Sequence, residues 1–347
     1  MSAAARGGPE PVEPPHPRHT TVLYGHADAE QAFLDAYRGG RLPHAWLLGG
    51  PRGIGKATLA YRMARFVLAH PEQAAEEVQS ATSLALRPDD PALRRIAAQA
   101  HSDLLVLERT EGESGKLRTQ IAVDDVRRTV SFFGSTAGEG GWRVCIVDSA
   151  DELNAAGANA LLKILEEPPQ RALLIVVSHA PGRLLPTIRS RCRRLALRPL
   201  SAEDVAWAVS AAVGRERSGG DLERAAAASD GSVARAIELL GGKALDVREQ
   251  VATMLDALPA VDPRALHALG DALGRADEGA FTAFVDTVRD WLSARLDVEA
   301  PKSGRLLRVA DAWERLNRAA RDVEVFHLER KPMVFNVFGW LAEASRG

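Results

Sequence analysis

The sequence predicts an α/β fold: a parallel sheet with helices on both faces, followed by two helical regions. The apolar runs 144–147 and 173–177 are continuous, as in strands that are buried on both faces. These runs alternate with amphipathic helical segments, which is typical of a parallel sheet. After residue 201 the strand pattern disappears and the apolar residues recur with helical spacing.

The predicted elements follow in chain order. Residues 1–20 are rich in Pro, Gly and Ala, which predicts a flexible tail. Strands are predicted at 45–48, 104–107, 144–147 and 173–177, and helices at 27–37, 56–69 and 155–167, with another that starts near 121. Glycine-punctuated helices then follow over 201–240, and longer amphipathic helices over 241–347. We therefore predict a tail (1–20), an α/β domain (21–200), a small helical domain (201–240) and a larger helical domain (241–347).

Composition and charge exclude several classes of protein. The 44 Lys and Arg residues balance 46 Asp and Glu residues, so the net charge of -2 provides no general attraction to nucleic acid or to acidic membranes. Only Cys145 and Cys192 are present, which excludes a disulfide framework and a four-cysteine zinc site. No apolar run approaches the roughly 20 residues that span a bilayer. The sequence predicts a soluble, cytoplasmic protein with no membrane contact and no metal centre.

A glycine-rich segment, Gly50-Pro-Arg-Gly-Ile-Gly-Lys56, lies between a predicted strand and a predicted helix. Gly50, Gly53 and Gly55 allow backbone N–H groups to surround a phosphate at the helix N-terminus, and Lys56 can reach the outer phosphates. This context predicts a phosphate-binding loop. The alternative is a glycine-rich turn whose lysine has no phosphate to bind.

The loop lacks one group that hydrolysis requires. The residue after the lysine is normally Ser or Thr, whose hydroxyl ligates magnesium, but here it is Ala57. Thr58 is next, rotated by about 100° around the helix, so we expect its hydroxyl to point elsewhere. Thr58 nevertheless belongs to the candidate nucleotide contacts.

A second candidate group is Asp148, which ends an apolar strand and suits a carboxylate that holds magnesium. ATPases of this type place an acidic residue next, to polarise the attacking water, but here it is Ser149. Asp151 and Glu152 are expected to cap the following helix. The absence of both a metal-binding hydroxyl and this carboxylate predicts that hydrolysis has been lost. A strand-end cap without a nucleotide role is the alternative for Asp148.

A third candidate is the basic segment Pro186-Thr-Ile-Arg-Ser-Arg-Cys-Arg-Arg194. Its guanidinium groups suit anionic oxygens, including the γ-phosphate of a nucleotide held by a neighbouring protein. Composition alone favours a solvated basic loop. The arginines concerned are Arg189, Arg191, Arg193 and Arg194.

Taken together, three motifs resemble the AAA+ subunits of the bacterial DNA polymerase III clamp loader. They are the run Asn159-Ala-Leu-Leu-Lys-Ile-Leu-Glu-Glu-Pro-Pro169, then Ser178, then Ser190-Arg-Cys192. The resemblance extends from about Val22 to Arg235. It implies an AAA+ domain over 21–200, a lid domain over 201–240 and a collar domain for oligomer contacts over 241–347.

Within that family, the chain is similar to the delta-prime subunits, whose nucleotide site is degenerate, and less similar to the catalytic gamma/tau subunits. The resemblance implies that Arg191 acts as an arginine finger on ATP bound by an adjacent gamma subunit. Ser178 falls at the sensor-1 position, where it contacts a γ-phosphate or simply caps the next turn. Gly231-Ser-Val is followed by Ala234, so Arg235 lies one position away from the sensor-2 arginine of active subunits. The family's zinc-binding cysteines are absent, so we expect helix packing to hold residues 73–99.

The function implied is a largely non-hydrolysing clamp-loader subunit that helps to place the sliding clamp on primer-template DNA. The implied partners are the gamma/tau and delta subunits, with clamp and DNA contacted through the complex. No cofactor is required, and weak binding of ATP or ADP is expected. The alternatives are an active gamma/tau-like ATPase or a related AAA+ protein of DNA replication or repair, and a nucleotide-binding scaffold outside replication. Ala57 and Ser149 distinguish the first interpretation from an active ATPase.

Overall fold

The computed structural model describes residues 14–112, 115, 117–134, 138, 141–214, 220–240, 243–298 and 304–345. Within these residues the chain divides into two compact units. The first unit comprises Pro14–Glu216 and Asp230–Ala234, and the second comprises Arg217–Ser229 and Arg235–Gly347. This division does not test the domain boundaries predicted from the sequence, which remain predictions.

The first unit is built on one parallel sheet of five strands in the order β2-β3-β4-β1-β5. Each crossover between parallel strands carries a helix, as the alternating sequence pattern predicted. The elements are α1 (Ala27–Arg38), β1 (Ala45–Gly49), α2 (Lys56–Ala69), α3 (Glu76–Ser80), α4 (Pro91–Ala97), β2 (Leu104–Leu107), α5 (Val123–Gly134), β3 (Arg143–Val147), α6 (Ala155–Glu166), β4 (Ala172–Ser178), α7 (Pro186–Arg191), β5 (Arg193–Ala196) and α8 (Ala202–Val213).

Both faces of the sheet are covered, because successive side chains of its central strands enter two different cores. In β1, Trp46 and Leu48 pack with α1 and α2, whereas Ala45 and Leu47 pack with α5 and α6. All five residues of β1 and of β3, and all seven of β4, are buried. The predicted doubly covered parallel sheet is therefore confirmed.

The fifth strand was not predicted from the sequence. Residues 193–196 (Arg-Arg-Leu-Ala) lie in parallel register beside β1 at the edge of the sheet, where three of the four side chains are exposed. An edge strand need not be apolar, so it lacks the continuous apolar run that marks the central strands. The guanidinium of Arg193 stacks over the indole of Trp46 at 5.8 Å from the ring centre, which anchors the strand.

Residues 73–99 are held by packing, as expected for a chain without the zinc-binding cysteines. Val78, Leu84 and Ile96 are at most 2% exposed and join the core that contains α1 and α2. The backbone is fixed at two further points: Arg38 Nε donates to the Val78 carbonyl at 3.0 Å, and the Glu30 carboxylate accepts from the Leu84 N–H at 3.1 Å.

Part of the segment predicted to be a flexible tail lies against α2. Residues 1–13 are outside the described residues, but the backbone between Pro17 and Thr20 contacts the side chain of Arg65, which is 2% exposed. The Arg65 guanidinium donates to the carbonyl oxygens of Pro17, Arg18 and Thr20 at 3.2, 2.5 and 2.7 Å. A buried guanidinium needs such acceptors, and they in turn fix this stretch of backbone.

The second unit consists of helices, as the sequence predicted. Its main core is formed by residues such as Phe284, Leu316 and Phe338, which are nearly or fully buried. No helix of the described residues is long and apolar enough to cross a membrane. The remaining helices are α9 (Gly220–Ala227), α10 (Val233–Leu239, whose first residues belong to the first unit), α11 (Ala244–Asp256), α12 (Pro263–Gly274), α13 (Glu278–Val298), α14 (Gly304–Phe326) and α15 (Arg330–Ser345).

Candidate nucleotide site and arginine turn

The glycine-rich loop joins β1 to α2, the context that the sequence predicted for a phosphate-binding loop. Gly53 and Gly55 have φ angles of 74° and 96°, in the region that favours glycine. At Gly53 there is also no room for a side chain: a Cβ would lie 2.1 Å from Ser232 Oγ. The Gly53 carbonyl accepts a hydrogen bond from the Val233 N–H at 2.9 Å, so the backbone that follows Ser232 closes directly onto the loop.

Lys56 is bonded to the loop's own backbone. Its ammonium donates to the carbonyl of Gly50 at 2.7 Å and also to that of Pro51, and the residue is only 3% exposed. Burial lowers the pKa of Lys56 to about 8, although the carboxylates of Asp148 and Asp151 counteract that shift. A phosphate has to compete with these two carbonyls for the ammonium. Ala57 and Thr58, the next two residues, are half-buried in the first turn of α2.

Asp148 follows β3, and its backbone N–H donates to the Leu107 carbonyl at 2.8 Å, which aligns it with the end of β2. Burial raises the pKa of Asp148 to about 6, the carboxylates of Glu108 and Glu152 add to the shift, and Lys56 opposes it. The sequence placed Asp148 and Lys56 in one site, and the structure brings them within electrostatic reach of each other.

Asp151 joins the segment after β3 to the end of β4, a role that the sequence analysis missed. Its carboxylate accepts from the hydroxyls of Ser149 and Ser178 at 3.1 and 3.0 Å. It also accepts from the backbone N–H groups of His179 and Ala180 at 2.6 and 3.0 Å. The hydroxyl of the predicted sensor-1 residue, Ser178, is therefore engaged within the chain. We call the bonds among these five residues the Asp151 node.

The expectation that Asp151 and Glu152 cap the following helix was wrong. The N-cap of α6 is Asn154, whose side chain accepts from the Gly157 N–H at 2.8 Å. Glu152 instead accepts from Arg109 at 2.8 Å and from Arg52 of the glycine-rich loop at 3.3 Å. Sequence spacing alone did not separate these roles, because Asn, Asp and Glu are all suitable near a helix start.

Two further histidines touch the site, and sequence reasoning did not place them there. His26 Nε2 donates to the Ile54 carbonyl at 2.7 Å, inside the glycine-rich loop. Burial lowers the pKa of His179 to about 4, and the nearby cations Lys56 and Arg52 lower it further. In the sequence neither histidine belongs to a recognisable motif, and only the folding of the chain brings them to the glycine-rich loop.

The sequence places Arg235 one position away from the sensor-2 arginine of active subunits, and this remains a prediction. Arg235 lies in α10 and pairs with Asp290 at 2.5 Å within the second unit. Among the described residues, no group of three or more His, Cys, Asp and Glu side chains is arranged to hold a metal ion.

The basic segment is not a simple loop, because it forms the end of α7 and the edge strand β5. Its four arginines have different surroundings. Arg193 stacks on Trp46, and Arg194 donates to the Arg189 carbonyl at 3.4 Å. Arg191 Nη2 pairs with Glu166 Oε1 at 3.0 Å, and its side chain is 36% exposed. Cys192 is buried between them and packs against the core on the α6 side.

These features define the class of protein. The parallel sheet has the strand order β2-β3-β4-β1-β5, the glycine-rich loop follows β1, a carboxylate follows β3 and a serine ends β4. The chain has the AAA+ fold.

Comparison with known families identifies the family to which the chain belongs within this class of protein. Residues 25–201, just over half of the chain, match the family model described as DNA polymerase III, delta subunit. The chain belongs to this family.

The chain is also similar to individual proteins of known identity. The DNA polymerase III subunit delta' of Pseudomonas aeruginosa is 38% identical over 224 residues, which cover 64% of this chain and 63% of that protein. The gamma/tau subunit of Mycobacterium tuberculosis is 35% identical over 170 residues, covering 48% of this chain and 26% of that protein. The matches thus span less than two thirds of these relatives. The solved RuvB Holliday junction branch migration motor of Thermotoga maritima is similar with a TM-score of 0.44 and 17% identity, covering 95% of this chain and 92% of that chain.

Proposed function

We propose that this chain is the delta-prime subunit of a bacterial DNA polymerase III clamp loader, in which it acts as a largely non-hydrolysing AAA+ subunit. It would contact gamma/tau and delta subunits, and through the complex the sliding clamp and primer-template DNA. The observation that carries the proposal is a contrast between two sites in a chain of this family. In the nucleotide site, Lys56 donates to the Gly50 carbonyl and the buried Ser178 donates to Asp151, whereas Arg191 lies 36% exposed at the end of α7, where its partner is the exposed carboxylate of Glu166.

The nucleotide site supports a non-hydrolysing role, because two groups that hydrolysis needs are missing and a third is already hydrogen-bonded within the chain. Ala57 supplies no hydroxyl to magnesium and Ser149 supplies no carboxylate to water. In addition, Ser178 is fully buried and donates to Asp151, so its hydroxyl is already engaged. The loop backbone and Lys56 still suit a phosphate, which supports weak binding of ATP or ADP with no requirement for a cofactor.

The helical second unit supports a role in oligomer contacts, as proposed for its 241–347 segment. Val325, Phe326 and Leu328, around the end of α14, are 61%, 66% and 52% exposed. Exposed apolar side chains that lie together often mark a protein interface. We propose that a neighbouring subunit covers them.

Reconstitution tests the proposal. Mixed with gamma/tau and delta subunits, the purified chain should co-elute in one complex and restore clamp loading to a mixture that lacks it. Alone, it should show no ATP turnover above background, since two groups needed for metal and water positioning are absent. Turnover comparable to that of AAA+ motors and abolished by Lys56→Ala would instead establish the gamma/tau-like alternative. Failure to enter the complex would contradict the subunit assignment.

Nucleotide binding should be weak and nearly independent of magnesium. The phosphate has to displace the Gly50 and Pro51 carbonyls from Lys56, and no hydroxyl at position 57 anchors the metal. Titration of a fluorescent ATP analogue with and without magnesium measures this. Tight binding that magnesium strengthens by more than about tenfold would show that another residue, such as Thr58, supplies the missing ligand.

A further inference from the structure

The guanidinium of Arg191 is held by two acceptors of its own chain. Nη1 donates to the carbonyl of Thr187 at 3.1 Å, one turn earlier in α7. Nη2 pairs with Glu166 Oε1 at 3.0 Å. Glu166 is the last residue of α6 and Arg191 the last residue of α7, so the ion pair joins the C-terminal ends of two helices that pack together.

This ion pair is placed where it can exchange partners. The side chains of Arg191 and Glu166 are 36% and 50% exposed, and ion pairs exposed to this extent are weak. A phosphate offers a guanidinium the same pattern of two anionic oxygens as a carboxylate, and with more charge. The Nη2 group that Glu166 holds belongs to the planar fork that a phosphate would engage, so the two anions compete for it.

We propose that Glu166 is an intramolecular competitor for Arg191, which holds the guanidinium until a nucleotide phosphate on a neighbouring subunit displaces it. This inference rests on the proposed function, because it takes Arg191 as the group that reaches the neighbour's phosphate. Glu166 touches no nucleotide itself. It determines what fraction of the arginine is available, and that fraction sets the apparent affinity of the neighbouring site.

A competitor and a supporting residue have opposite effects when removed. If Glu166 competes, its neutralisation frees Arg191 and lowers the ATP concentration that half-saturates turnover, while the maximal rate stays unchanged. Breaking an exposed ion pair changes such an equilibrium by about two- to fivefold. If Glu166 instead orients Arg191 for catalysis, its neutralisation lowers the maximal rate, as loss of the arginine does.

The experiment uses the full-length chain in the clamp loader reconstituted with gamma/tau and delta subunits. ATP turnover is measured against ATP concentration at saturating clamp and primed DNA. Glu166→Gln should lower the half-saturating ATP concentration by about two- to fivefold. Glu166→Asp keeps the charge on a shorter side chain and should give a smaller shift in the same direction. Glu167→Gln removes an adjacent exposed carboxylate and is the matched control, which should behave like the wild type.

Four outcomes overturn the inference. A lower maximal rate in Glu166→Gln would make Glu166 a supporting residue, and a curve identical to that of Glu167→Gln would remove any role. A shift by Glu166→Gln that persists in the Arg191→Ala background would show that Glu166 acts on another group. If Arg191→Ala itself leaves turnover unchanged, the arginine-finger part of the proposed function fails as well. A failure of the competition alone is recognised when Arg191→Ala reduces turnover but Glu166→Gln does not lower the half-saturating ATP concentration.

Discussion

The Arg191→Ala variant should enter the clamp loader normally and then fail to support ATP turnover at the site it completes. Its half-exposed ion pair with Glu166 contributes little to folding, so stability and assembly should be unchanged. Arginine fingers stabilise transition-state charge by factors of about a thousand or more. The whole complex should lose less than this, because its other ATP sites keep their own arginines. The measurement is DNA- and clamp-stimulated ATP turnover together with clamp loading.

Neighbouring arginines provide the controls for Arg191. Arg193→Ala and Arg194→Ala remove the same charge from the same segment, but these side chains are engaged with Trp46 and with the Arg189 carbonyl. Their effect on turnover should be small. Arg191→Lys should rescue poorly, because an ammonium cannot reproduce the planar fork. Equal losses in the three alanine variants would indicate a general basic surface and contradict the finger.

The Asp151→Ala variant should be the least stable of the site variants. It leaves the hydroxyls of Ser149 and Ser178 without their acceptor, and these residues are 3% and 0% exposed. Unpaired buried donors cost about 1–3 kcal/mol, so we expect the free energy of unfolding to fall by about 2 kcal/mol. Urea denaturation measures the change. Asp151→Asn keeps one acceptor oxygen and should lose less, and Asp89→Ala, at an exposed position, should lose almost nothing.

The stabilisation by Asp151 should also depend on pH. Burial raises its pKa, but the hydrogen bonds from His179, Ala180, Ser178 and Ser149 outweigh that effect and hold the pKa below its usual value. A carboxylate whose pKa is lowered by folding stabilises the protein above its unfolded pKa of about 4 and loses that contribution as the pH falls through the folded value. The difference between wild type and Asp151→Ala should therefore be full at about pH 7 and shrink below about pH 4. A difference that stays constant with pH would mean that the charge of Asp151 is irrelevant.

Much of the fold follows from the sequence, because buried parallel strands need apolar residues on both faces. This requirement allowed strands to be predicted at 45–48, 144–147 and 173–177, and the structure has a strand at each. It does not apply at the sheet edge, so Arg193–Ala196 was not predicted. Helix packing in place of a zinc site over residues 73–99 followed from the absence of cysteine there, and the structure confirms it.

The candidate site was only partly predictable, for a different reason. Motif spacing fixes which residues sit at the ends of the strands, and it placed Lys56, Asp148 and Ser178 in one region. It does not reveal which polar groups bond to each other across that region, since several acceptors compete for each donor. The bond from Ser178 to Asp151 and the pair between Arg191 and Glu166 join residues that are distant in sequence. Only their positions in the fold decide these partners.

The Asp151 node has a consequence for how such a protein evolves. Under the proposed function, a gain of hydrolysis takes more than replacing Ala57 and Ser149 by a metal-binding hydroxyl and an acidic residue. Ser149 is buried and bonded to Asp151, so a longer acidic side chain there would remove a buried donor and crowd a further negative charge beside Asp148, whose pKa is already raised. Reversion at this position thus lowers stability before any activity returns. Under the proposed function, a lineage with these bonds has no favourable single-mutation route to an active ATPase, because stability falls before any activity is gained.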